Sequence, residues 1–389
     1  MRATVLNDPA LAKHAGRFAW LSINGEDAKN AEFVGRLAIE GYPTFYVLDG
    51  ATGDIALRWA GSLTRSEFER LLDDGERAVR AAAGGAVPAG AATTPADAIA
   101  ADAALARADR LLAASKTVEA AEAYAEALRQ APPGWAGRGR ALGSRLGALT
   151  RSGANEACAS LARQEAPGLE RGPAFAGVAA AGLTCAMEGP KDAAWRATAI
   201  ATLEPLVEES LGLESVLADD RSSAYGLLVD LHDARPDAAG ARAMAERWMA
   251  FLDTQGASAP SVEARAALDG HRVAAALALG DPKRAVPALE ASERDLPNDY
   301  NPPARLTILY RELGRYDDAL AASRKALDLA YGARKLRIFE ARADTLAKRG
   351  DAAAARATLE EAVRYGETLP ESQRPKTYLE SLRKKAAAG

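Results

Sequence analysis

GRYDDALAASRKALDL, residues 314–329, sets the terms on which the chain is read. A glycine ends one helix, and an alanine five residues on, Ala319, opens the packed face of the next. The same arrangement occurs in GDPKRAVPALEASERDLP (280–297) and in GDAAAARATLEEAV (350–363). The alanines Ala285, Ala319 and Ala355 lie 34 and 36 residues apart. A fixed period of this size marks stacked units, each too small to bury its own apolar face alone. Alanine suits such stacking, because it is the best helix former and lets helices approach closely.

An earlier copy, Ser115 to Pro132, sets Ala120, Tyr124, Ala127 and Pro132 at the offsets of Ala285, Leu289, Ser292 and Pro297. The spacing and the small residues resemble the tetratricopeptide repeat. In that family small residues sit where two helices of a hairpin cross, and a proline commonly ends the second helix. Tyr310, Gly314, Tyr316, Ala319 and Ala326 match best, while Tyr331 stands where proline is usual. The resemblance implies an α-solenoid over residues 98–389 whose groove holds proteins or extended peptides. From 135 to 260 the pattern is degenerate, with Ala157 and Ala241 as candidate markers of further copies. A generic alanine-rich bundle is the competing reading.

Composition narrows the function classes. Lys+Arg 49 against Asp+Glu 53 gives a net charge of −4, which argues against a general nucleic-acid binder. The longest apolar runs, such as Val273 to Leu279, fall far short of the ~20 residues of a membrane-spanning helix. Three histidines and two cysteines, in no His-x-x-x-His or Cys-x-x-Cys pair, assemble no recognisable zinc site. No cofactor motif is present, and Gly137-Arg138-Gly139 follows a proline turn rather than a strand. The start of the chain shows no signal peptide, so as written it reads as soluble and cytoplasmic.

Residues 1–80 alternate strand and helix signals. RFAWLSIN (17–24) is a β-type run with Phe18 and Trp20 for burial and Leu21 and Ile23 as further candidates. Asp27 to Ile39 has helical spacing through Ala28, Ala31, Val34, Leu37 and Ala38. Gly41-Tyr42-Pro43 breaks it. TFYVL (44–48) and Ile55 to Ala60 then flank a turn at Asp49–Asp54. Ser62 or Thr64 caps a helix from Arg65, with Phe68, Leu71 and Leu72 on its apolar face. Residues 81–97, rich in Ala, Gly, Pro and Thr, read as a flexible linker.

The run Tyr42-Pro43-Thr44-Phe45-Tyr46-Val47-Leu48-Asp49, then Gly53, then Gly61 ahead of Ser66-Glu67-Phe68, resembles the thioredoxin fold. The resemblance implies an incomplete α/β domain in which Pro43 is cis. It also implies that Tyr42, Pro43 and Thr44 present backbone groups to an extended peptide. The family's redox chemistry needs Cys-x-x-Cys at a helix start, where one thiol pKa is lowered. Residues 1–80 contain no cysteine, so no catalytic residue is assigned. Met1 to Pro9 resembles the segment that follows the paired cysteines. Two readings stay open: an N-terminally truncated thiol-disulfide oxidoreductase, which the abrupt start favours, or a degenerate domain that only binds.

Cys158 and Cys185 fall on successive helices, and two buried thiols are preferred over a disulfide. His14 reads as surface, and His232 and His271 as helix ends or hairpin faces. Asp219-Asp220, Glu360-Glu361, Arg334 to Arg337 and Arg383 to Lys385 read as solvated faces. The expected function is a protein–protein interaction scaffold. The alternative is an oxidoreductase whose repeats recruit substrates, working in the periplasm or secreted. A purely structural repeat protein with a vestigial first domain is a third reading.

Overall fold

The computed structural model describes residues 5–37, 39, 41–82 and 96–388. Residues 83–95, the body of the linker expected at 81–97, lie outside the described residues, as do Ala38 and 1–4. The chain divides into two compact units, Met1–Ala15 with Leu37–Ala238, and Gly16–Arg36 with Ala239–Gly389.

In the first unit, strands β1 (Thr44–Leu48) and β2 (Ile55–Ala60) pair antiparallel with Phe45 opposite Trp59 and Val47 opposite Leu57. Their turn is tied by Asp49, whose backbone N donates to Asp54 O at 2.9 Å and whose Oδ1 accepts from Ala51 N at 2.8 Å. Helix α2 spans Arg65–Ala82 (α1, Ala31–Gly35, belongs to the second unit) and opens on a reciprocal cap. Glu67 Oε2 accepts from Thr64 N at 2.9 Å, and Thr64 Oγ1 accepts from Glu67 N at 3.3 Å. Phe68, Leu71 and Leu72 are buried as expected. The helix lies so close to β1 that a Cβ on Gly75 would stand 2.6 Å from Val47 Cγ2, so only glycine fits there. The Tyr42–Pro43 peptide is cis.

Seven helices follow in this unit: α3 (Ala96–Ala113), α4 (Thr117–Gln130), α5 (Arg138–Arg151), α6 (Asn155–Glu165), α7 (Pro173–Glu188), α8 (Ala194–Ser210) and α9 (Ala218–Asp233). Neighbours in sequence pack antiparallel, and α7 also packs on α5 and α9, the pattern of stacked hairpins. Ala120, Ala127, Ala141 and Ala148 are fully buried at the crossings. Methyl groups there let the helix axes approach more closely than larger side chains allow.

A buried polar cluster joins β2 to this array. Asp109 on α3, fully buried, accepts from Tyr124 Oη at 2.7 Å, Arg140 Nη1 at 2.5 Å and Arg58 N at 3.4 Å. Arg140 Nε also lies 3.9 Å from Asp74 on α2. Burial pushes the Asp74 carboxyl above the usual range, against the pull of Arg140 and Arg77.

The second unit contains α10 (Ala238–Ala257), α11 (Val262–Ala266), α12 (Asp269–Ala278), α13 (Val286–Asp295), α14 (Asn301–Glu312), α15 (Tyr316–Leu329), α16 (Arg334–Arg349), α17 (Ala352–Thr368) and α18 (Lys376–Ala388). Here too each helix from α13 onward packs on the next, while α14 packs on α12 and α16. Ala285, Ala319 and Ala326 are fully buried and Ala355 is 7% exposed, as the repeat alignment requires. Gly280, Gly314 and Gly350 all take left-handed φ, the geometry that ends a helix cheaply without a Cβ. Ser115, their counterpart in the early copy, takes φ +59 despite its side chain.

Several expectations are corrected. Residues 17–24 form no strand; Trp20 is 51%, Leu21 77% and Ile23 39% exposed. A strand must pair its backbone groups, and β1 and β2 pair only with each other among the described residues. Gly16–Arg36 moreover belongs to the second unit, not to that of β1. The helix expected over 27–39 shrinks to a 3₁₀ turn at Ala28–Asn30 and α1 at Ala31–Gly35, leaving Ala28 exposed. Local side-chain bonds compete with it: Asn24 Oδ1 accepts from Glu26 N at 3.1 Å and Asp27 Oδ1 from Lys29 N at 3.2 Å.

His14 is buried rather than on the surface, because its 3₁₀ turn, Pro9–His14, lies against α2 through Lys13–Glu69 at 2.9 Å. Ala157 is exposed and marks no crossing; Cys158, five residues after Gly153, is fully buried in that role. Cys158 and Cys185 are joined as a disulfide rather than kept as thiols, since α6 and α7 bring their Cα atoms to 6.1 Å.

Candidate functional site

The groove of the second unit is built by the first helices of successive hairpins. The buried faces of α14, α16 and α18, rich in residues such as Leu306, Leu336 and Leu379, are spent on their neighbours, which leaves other faces to line a common surface. Ile308 and Arg311 come from α14, Arg337, Glu340, Ala341 and Asp344 from α16, and Tyr378 from α18. Positions 337, 340, 341 and 344 recur at helical spacing, so one face of α16 forms the floor. The groove holds about 410 Å³.

Its charges are mostly fixed in place. Asp344 accepts from Lys385 Nζ at 2.6 Å and from Arg311 Nη1 at 3.4 Å. Glu340 accepts from Lys385 Nζ at 3.1 Å and, closely, from the Tyr378 hydroxyl. Burial works against the Glu340 charge, yet the Tyr378 and Lys385 hydrogen bonds outweigh it and hold the carboxyl below its usual range. Burial first, then the bond to Glu340, pushes the Tyr378 phenol up, so it stays a donor. Arg337 differs from the others. It is exposed and lies 6.0 Å from the Tyr378 ring centroid, with no carboxylate in ion-pair range among the described residues.

Such a surface offers a cation, a phenol and an apolar floor of Ile308 and Ala341. No serine, histidine or cysteine nucleophile lines it, and no metal-holding group of three His, Cys, Asp or Glu occurs among the described residues.

Tyr42, Pro43 and Thr44 lie in the first unit, at the entry to β1. Tyr42 is 56% exposed, and Thr44 Oγ1 donates to Gly41 O at 2.6 Å. The groove residues were missed in the sequence. Arg337 and Lys385 lie in the two basic runs read as solvated surface, and a charged row at helical spacing is also what an ordinary exposed face looks like. Asp219, Asp220 and Glu361 are indeed exposed.

No protein-family model matches the chain, and no curated protein matches it. Among solved structures it is similar to a tetratricopeptide repeat protein from Parabacteroides merdae, at 12% identity and TM-score 0.47, covering 74% of this chain and 99% of that one. It is also similar to BtubC from P. vanneervenii, at 19% identity and TM-score 0.39, over 54% of this chain and 89% of that one. A third is the TPR2AB domain of yeast Sti1 in complex with pHSP90, at 16% identity and TM-score 0.26, over 74% and 98%. The assignment to a tetratricopeptide-like helical array rests on the hairpin stacking and the buried alanines. Among the described residues no helix is long and apolar enough to cross a membrane.

Proposed function

We propose that the protein is a polypeptide-binding scaffold whose groove on α14, α16 and α18 holds an extended segment of a partner protein. The observation that carries this reading is the exposed Arg337 beside Tyr378, above a floor already neutralised by Arg311, Lys385, Glu340 and Asp344. An exposed cation with no carboxylate within ion-pair distance among the described residues, influenced by Glu340 only at longer range, favours a partner segment with a carboxylate, while Ile308 and Ala341 favour an apolar neighbour beside it.

In this reading β1, β2 and α2 form a remnant of a thioredoxin-like domain, and Tyr42, Pro43 and Thr44 offer the edge of β1 to a second stretch of extended chain. That edge is supported by β1 pairing on one side only, with β2, among the described residues. Residues 1–80 contain no cysteine. The Cys158–Cys185 disulfide supports work in an oxidising compartment, the periplasm or outside the cell.

The test is partner capture by the full chain. Arg337→Glu and Tyr378→Ala are expected to cut capture at least about tenfold, with unchanged far-UV circular dichroism, as loss of a central contact of ~1.4 kcal/mol or more does. Undiminished capture by both variants refutes the groove.

A further inference from the structure

Away from the groove, the second unit already holds a peptide-like ligand: its own segment Asn24–Ala31. Gln373 Nε2, in the 3₁₀ turn between α17 and α18, donates to Gly25 O at 2.9 Å and to Asp27 O at 3.0 Å. Ser372 Oγ donates to Ala31 O at 2.9 Å. Between them the Glu26 carboxylate meets Arg334 Nε at 2.6 Å. The Arg334 guanidinium sits 5.4 Å from the Tyr300 ring and 5.2 Å from the Tyr331 ring, an aromatic frame that holds it for a carboxylate. Gly332, at φ +58, lets the segment lie close: a Cβ there would stand 3.0 Å from Glu26 Cβ and 3.2 Å from Glu26 O.

The segment is shaped in advance for this fit. Asn24 Oδ1 takes Glu26 N, Asn30 Nδ2 donates to Asn24 O at 2.9 Å, and Asp27 Oδ1 takes Lys29 N. One amide and one hydroxyl side chain that read backbone carbonyls, plus one framed arginine that reads one carboxylate, are the elements of linear-motif recognition. On its flank the strap is loosely covered, with Leu21 77% and Ile23 39% exposed.

We infer that Tyr300, Tyr331, Gly332, Arg334, Ser372 and Gln373 form a recognition site for an acidic, turn-forming segment of the Asn-Gly-Glu-Asp type. The chain's own residues 24–31 occupy it until a partner bearing such a segment displaces them. This site and the groove on α14, α16 and α18 share no residue, so it stands or falls independently of the function proposed above.

The probe is a fluorescein-labelled peptide of residues 17–36 added to the full chain. A tethered strap competes at an effective concentration of about 1 mM, so a peptide of ~100 μM intrinsic affinity is weakened about tenfold in the unaltered protein. Glu26→Arg, which sets the strap against Arg334, is expected to bind the peptide about tenfold more tightly than the unaltered chain. Adding Arg334→Glu to that variant abolishes binding, and a peptide carrying Glu26→Lys binds neither the unaltered chain nor Glu26→Arg. Binding that is indifferent to Arg334→Glu, or equal in the unaltered chain and Glu26→Arg, overturns the inference. Hydrogen exchange on the unaltered chain gives a readout free of variants. Amides of 24–31 are protected alone and lose protection when unlabelled peptide is in excess; if they exchange at free-peptide rates without it, the strap is not seated and the inference fails.

Discussion

Replacing both cysteines by alanine removes a cross-link between two buried positions, together with the contacts of both sulfurs to the Thr150 hydroxyl. Cys158 sits five residues after Gly153, where Ala120, Ala285, Ala319 and Ala355 sit in other repeats, and both cysteines are fully buried. At position 158 alanine is the residue this crossing ordinarily takes, and reduction of the unaltered protein opens the bond while keeping both sulfurs beside Thr150. The bridge closes a loop with sequence separation 27. The chain-entropy relation gives about −12 cal/mol/K for such a loop, or about 3.5 kcal/mol at 25 °C. In a stacked array that loss falls on the hairpins carrying the bond and on their neighbours. The assay is urea unfolding followed by circular dichroism, with and without a phosphine reductant. The unaltered protein is expected to lose about 3 kcal/mol on reduction, and Cys158→Ala/Cys185→Ala to lose nothing further. Equal midpoints with and without reductant, or thiols that alkylate in the unfolded but unreduced protein, refute the bridge.

Four further outcomes follow from particular contacts. Asp109→Ala removes the closest partner of the Tyr124 hydroxyl and of Arg140, leaving the guanidinium only the more distant Asp74, and thermal unfolding should show a loss of about 3–5 kcal/mol, several times that of an exposed Asp→Ala change. Asp74 has its folded pKa raised by burial, so its contribution to stability is full below the unfolded value and is lost as pH rises through the folded one. The difference between Asp74→Asn and the unaltered chain should thus move in favour of Asn from about pH 3.5 to pH 7, and a pH-independent difference contradicts the cause. Ser115→Gly relieves a left-handed φ of +59 and should stabilise by about 0.5–1 kcal/mol in chemical unfolding. Gly314→Ala, at φ +71, should cost about 1 kcal/mol in the same measurement.

What could be read in the sequence was whatever local chemistry dictates. Thr44–Leu48, Ile55–Ala60 and the helix from Arg65 were legible because their turn, cap and alternation lie within a few residues. The alanines at 120, 285, 319 and 355 were legible because a close crossing admits little else. Residues 17–24 were not, since apolar alternation makes a strand only where a partner edge exists, and these residues serve the other unit instead. Cys158 could be placed at a crossing by counting from Gly153, but its bond to Cys185 depends on how α6 lies on α7. Arg334 was hidden for a related reason: its partner Glu26 is distant in sequence, and nothing local joins them. The groove stayed hidden because its charges match one another across α14, α16 and α18, and such matching is visible only when the helices are stacked.

The central claim is that partner polypeptide lies in the groove on α14, α16 and α18. Its most direct test puts a photo-cross-linking residue at Ala341, on the groove floor, and in a separate variant at Arg356, exposed on α17. The account predicts partner adducts from position 341, mapping to one extended segment of the partner, and none from position 356. Adducts of equal yield from both positions, or none from 341 while partner is still captured, contradict it.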